Sequence, residues 1–82
     1  MATVSEEDIL QLKSTLPKNL GKAIALERKR KKLTQTELAM LTQKDRQYIY
    51  KIEKGKVVPN IVTISIIAKA LDVSISELLK NL

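Results

Sequence analysis

Apolar residues along this chain recur at helical spacing, with no sustained strand-like alternation. Ile9, Leu12 and Leu16 fall at i, i+3 and i+7, after Ser5 and the acidic run Glu6, Glu7 and Asp8. A serine followed by carboxylates is a helix start, because the side-chain oxygen and negative charges meet unpaired backbone N–H groups. The residue before a proline disfavours helical geometry, so Pro17 is predicted to end this element, giving a first helix over residues 5–15. A second helix is predicted from Leu20 to Lys32, with Leu20 and Ile24 on its apolar side and Ala23 and Ala25 beside them.

Local capping chemistry marks the later elements. Thr34 with Glu37 three residues on forms a capping box ahead of Leu38, Ala39 and Leu41, which are predicted to face inward. Thr42, Gln43 and Lys44 read as a turn, and Asp45 as the cap of a helix running to about Lys54 with Ile49 and Ile52 in the core. Gly55 stands where a left-handed residue closes such a helix. Pro59 and Asn60 open the next helix, whose apolar face is Ile61, Ile64, Ile67, Ala68 and Leu71. Ser74 and Glu77 form another capping box, for a last helix with Ile75, Leu78 and Leu79. The expected class is all-α, with a boundary at Pro17 between an extension helix (residues 1–17) and the main domain (18–82).

Composition narrows what such a chain can do. It has 82 residues, enough for one small domain. It has no cysteine or histidine, which removes disulfides, thiolate metal sites and the commonest general base. The carboxylates are accounted for by caps and first turns, so no pair is left as an acid and base and the chain is not expected to be an enzyme. No metal or other cofactor is expected. The acidic beginning and the lack of a long apolar run predict neither a signal peptide nor a membrane span. A cytoplasmic protein is expected. The net charge of +6 is unevenly spread. Residues 1–16 carry three carboxylates against Lys13, a net of −2, while residues 17–82 carry 14 basic and six acidic groups, a net of +8. A cationic body is suited to a polyanion, although the same charge also serves solubility.

The order of a basic helix, LTQTELA, a turn, a helix ending I-x-x-I-E-x-G, then Pro59, Ile64, Ala68-Lys69-Ala70-Leu71 and Val73-Ser74 resembles the lambda-repressor/Cro-like helix-turn-helix family. The resemblance covers about residues 20–79. It implies a five-helix DNA-binding domain, here with an additional short N-terminal helix. It further implies that Arg46, Gln47, Tyr50 and Lys51 project into the major groove, that Gln35 touches a phosphate, and that Arg28 and Glu53 form an interior salt bridge. Gln43 stands where the family often has glycine, Lys44 and Glu27 where it often has apolar residues, and Tyr50 where it usually has a small one.

The residues themselves fit that role. Arg46 and Gln47 are long enough for paired hydrogen bonds to guanine and adenine edges, and 46/50 and 47/51 share one helix side. Tyr50 suits a thymine methyl or a phosphate, or else packs along its own helix. Lys44, Tyr48, Lys54 and Lys56 are the further phosphate candidates, with a solvated surface as the alternative. Double-stranded DNA is thus the expected partner, met by a homodimer on an inverted repeat, because one small domain covers little DNA. The dimerisation candidates are Ile75, Leu78, Leu79 and Leu82 at one end and Ile9, Leu12 and Leu16 at the other; alternatively they complete a monomer core. A competing expectation is a protein-interaction module of the same fold, acting as an antitoxin or a bridge to a transcription factor.

Overall fold

The computed structural model describes every residue except Asn81. Its elements are α1 (Glu6–Arg30), α2 (Gln35–Thr42), α3 (Arg46–Glu53), α4 (Ile61–Ala70) and α5 (Ile75–Leu79), with no strand among the described residues. The second half of α1 packs on α3 and α5, α2 packs on α3 and α4, and α4 packs on α5. Leu20, Ile24, Leu38, Ile49, Ile52, Ile67, Leu71 and Leu78 meet in one buried core with Ala39, Ile64 and Ala68.

The all-α class stands, but the expected break at Pro17 does not. α1 runs through it for 25 residues, so the extension is the beginning of α1 and not a separate helix. A proline inside a helix removes the N–H that would bond the carbonyl four residues back, here that of Lys13. Lys13 lies on the exposed part of α1, where water can satisfy that oxygen. Both flanks hold the helix: Ser5 and Asp8 form a reciprocal cap at its start, and Leu20 and Ile24 anchor it beyond.

Two inward assignments also change. Leu41 is 58% exposed, and Thr42 takes the core position, its hydroxyl donating to the Leu38 carbonyl oxygen at 2.8 Å. Leu38, Ala39 and Thr42 form the stripe that one face of a two-turn helix can bury; Leu41 falls off its edge. Likewise Ile61, the first residue of α4, is 60% exposed, and Thr63 is buried instead. The predicted caps are all present: Thr34 with Glu37, Ser74 with Glu77, Asp45 on α3 and Asn60 on α4.

Helix ends share one device. After α1, α2, α3 and α4 a residue with positive φ reverses the chain: Lys32 at 58°, Gln43 at 56°, Gly55 at 72° and Asp72 at 58°. In each case the next N–H reaches back to a last-turn carbonyl, as Lys44 does to Ala39 at 2.9 Å and Lys56 to Lys51 at 2.9 Å. Gln43 therefore does take the left-handed conformation that glycine would adopt without steric cost.

Candidate nucleic-acid interface

The turn at Gln43 and Lys44 sets α3 across α2, and Asp45 starts α3 by accepting the Tyr48 N–H at 2.8 Å. This directs the Asp45 carboxylate back onto its own helix. Ile49 and Ile52 fix the inner face of α3 in the core. Arg46, Gln47 and Lys51 then stand exposed on the outer face. Tyr50 is half-buried, its ring centre 5.8 Å from Lys54 Nζ and 5.5 Å from Lys56 Nζ. Tyr48 packs its body against the core, with Lys44 Nζ 5.8 Å from its ring centre. Contacts between an ammonium and a ring face at such sites are worth about 0.5–1 kcal/mol each. They hold these lysines at either end of α3, where Lys54 and Lys56 are exposed and Lys44 is partly so.

Behind this surface lies a polar lock. Arg28 is buried on α1 and grips Glu53 with both prongs, Nε to Oε2 at 2.7 Å and Nη2 to Oε1 at 3.0 Å. Its remaining Nη1 donates to the Leu33 carbonyl oxygen at 2.7 Å. Gln35 Nε2 donates to the same Glu53 at 3.0 Å. The end of α3, the last turn of α1 and the start of α2 are thereby joined. Among the described residues no buried side-chain polar atom lacks a partner. The Arg28–Glu53 pair is present as the resemblance implied. Gln35 turns one amide hydrogen inward and keeps its oxygen and a second hydrogen for other partners.

Two positions that support the site carry no obvious sequence motif. A Cβ on Gly21 would collide with the backbone carbonyls of Ile52 and Glu53, so α1 crosses the end of α3 at backbone contact. An isolated glycine within a helical pattern is the one available signal for such a crossing. A Cβ on Gly55 would stand 2.9 Å from the Lys18 Cα, so the loop after α3 also lies directly on α1. The dimerisation candidates divide. Leu78 is a buried core residue and offers no outer surface, while Ile75 and Leu79 are partly buried against that core. Leu82, Ile9, Leu12 and Leu16 are exposed. Among the described residues no group of three or more His, Cys, Asp or Glu could hold a metal ion, and no helix is long and apolar enough to cross a membrane.

A short helix locked by its apolar side behind a turn, with basic and amide side chains outward, defines a helix-turn-helix DNA-binding protein. The chain belongs to the Helix-turn-helix family, whose model matches residues 24–78. Solved structures agree. The restriction-modification controller protein C.AhdI from Aeromonas hydrophila is 34% identical, with a TM-score of 0.74 over 76% of this chain and 94% of that one. The clp gene regulator ClgR from Corynebacterium glutamicum is 26% identical, with a TM-score of 0.78 over 79% of this chain and 83% of that one. The hypothetical transcription factor NHTF from Neisseria is 26% identical, with a TM-score of 0.76 over 96% of this chain and 84% of that one. No curated protein matches the sequence. The chain is accordingly a DNA-binding regulator of transcription, and its family and structural neighbours are transcription regulators, which are generally not enzymes.

Proposed function

We propose that this regulator is sequence-specific and reads the major groove with α3, as a homodimer on an inverted repeat in the cytoplasm. The observation that carries this reading is the outward set Arg46, Gln47 and Lys51 on a helix whose opposite side is fixed in the core. Arg46 and Gln47 contact base edges; Tyr50, held by Lys54 and Lys56, meets a thymine methyl or sugar at the groove wall. Lys44, Tyr48, Lys54 and Lys56 bind phosphates on the two sides, and Gln35 uses its free amide hydrogen for another. Residues 18–82 form the DNA-binding part and residues 1–17 an extension of it. Half-sites lie one helical turn apart, about 34 Å. Similarity to a controller protein and a gene regulator supports action at promoters.

The test is selection of bound duplexes from a random pool, followed by anisotropy titration of the selected site. A symmetric motif is expected. Contact with about six phosphates gives a slope of log K against log salt near −5. Arg46→Ala combined with Gln47→Ala should remove sequence preference, each lost contact being worth about 1–3 kcal/mol of discrimination. Far-UV circular dichroism should be unchanged. Preference surviving this double change overturns the assignment of α3. A flat salt response with tight binding to a protein favours the interaction-module reading.

A further inference from the structure

The loop after α3 rests on a stretch of α1 that precedes the residues matched by the family model, 24–78. A Cβ on Gly55 would stand 2.9 Å from both Cα and Cγ of Lys18 and 3.0 Å from its backbone nitrogen, so the loop lies on the backbone and stem of that lysine. Three residues later, Val58 sits beside Leu12, Lys13, Leu16 and Pro17, so the segment from Gly55 to Val58 follows α1 toward its start. Lys54 and Lys56 flank Gly55, and their ammonium groups lie 5.8 and 5.5 Å from the centre of the Tyr50 ring. Lysines from two distant segments are thus rooted at one turn, and Lys18, Lys54 and Lys56 are all exposed. Among the described residues the ion pairs are Arg28 with Glu53 and Arg30 with Glu27, so none of these lysines has a carboxylate partner. Glu53, next to Lys54 in the chain, is committed to Arg28 with its side chain only 5% exposed. The acids that start α1 end at Asp8, about 15 Å along the helix axis from Lys18.

We infer that Lys18 is a contact to the DNA backbone, joining Lys54 and Lys56 in one phosphate site carried by α1 and the loop after α3. The inference rests on the docking of α3 proposed above and adds a residue of α1 to the surface that meets the duplex. Cationic side chains gathered without counter-charge repel one another, and phosphates placed among them turn that repulsion into attraction. Lysine suits this role: its compact ammonium on a flexible stem binds phosphate as a point charge and carries no base preference. Because the Lys18 stem lies along Gly55, its ammonium sets out from the same turn that presents Lys54 and Lys56. The contact of Gly55 with the α1 backbone also fixes the spacing between the loop and α1, so the lysines are presented as a unit. Lys22, one turn further along α1, is equally exposed but lines a different groove, with Asn19, Ala23, Leu26 and Leu82. It offers the same charge in another direction and separates direct contact from general attraction.

The test is anisotropy titration of the full chain, at several salt concentrations, with a duplex taken from the random-pool selection and with an unrelated duplex. Lys18→Gln keeps the stem on Gly55 and removes the charge. It should weaken binding to both duplexes by about five- to tenfold at 0.1 M salt and make the slope of log K against log salt shallower by about 0.9. Lys18→Arg should restore affinity and slope, whereas Lys22→Gln should leave the slope within about 0.3 of the native value. Single uncharged methylphosphonate linkages, walked along the selected duplex, locate the contact: one linkage should weaken the native chain and leave Lys18→Gln unaffected. The urea midpoint serves as the folding control. An unchanged slope for Lys18→Gln, an equal loss for Lys22→Gln, or the same methylphosphonate profile for native and Lys18→Gln chains would each overturn the inference. The motif selected by Lys18→Gln should match that of the native chain, since phosphate contacts carry no base information. The motif reports on α3 and the slope on Lys18, so failure of either reading is seen separately.

Discussion

Both halves of α1 are amphipathic, yet only one is covered by the rest of the molecule. From Leu20 to Arg28 the helix buries Leu20, Gly21, Ile24 and Arg28, touches α3 at backbone distance and carries the ion pair that fixes α3. From Glu6 to Leu16 it buries nothing, although its apolar spacing is just as regular. Periodicity thus states that a face favours removal from water, without stating what removes it. In the second half the cover is the same polypeptide. In the first half the face and its charge gradient remain open to another molecule.

This contrast can be broken at several points. Glu53→Ala leaves Arg28 buried without its carboxylate and should cost about 3–5 kcal/mol, a large part of the stability of a small domain, measured by urea unfolding. Ile24→Ala should cost about 2–5 kcal/mol, whereas Leu12→Ala, measured at concentrations where the chain is monomeric, should change stability by less than about 0.5 kcal/mol. Equal losses at the two positions would mean that the first half is covered within one chain. Pro17→Ala restores a helix N–H between the halves and should stabilise by up to about 3 kcal/mol, read as a rise in Tm with increased ellipticity. Lys32→Gly relieves a left-handed side chain where the anchored half ends, and should add about 0.5–1 kcal/mol.

What could be read in advance was what short-range chemistry decides. The caps at Thr34, Asp45 and Ser74 and the reversal at Gly55 depend on residues within one turn, and each is present. The outward placement of Arg46, Gln47 and Lys51 follows from Ile49 and Ile52 being inward, so it was legible too. Continuity through Pro17 was not, because a local rule of backbone sterics is outweighed there by anchors on both sides. The exchange of Leu41 for Thr42 was hidden for a different reason. A helix of eight residues buries only a narrow stripe, and which stripe depends on where α3 and α4 lie. The role of Gly21 exists only once α1 and α3 cross.

The link running from Gln35 through Glu53 to Arg28 has a consequence for recognition. It rivets three helices at one carboxylate, so α3 cannot swivel independently of the body. A duplex would meet a tool whose pitch was set during folding, and little ordering entropy would remain to be lost on docking. Discrimination would then depend on the reach of a few side chains, and the heat-capacity change of complex formation should reflect the contact surface alone, without a folding contribution.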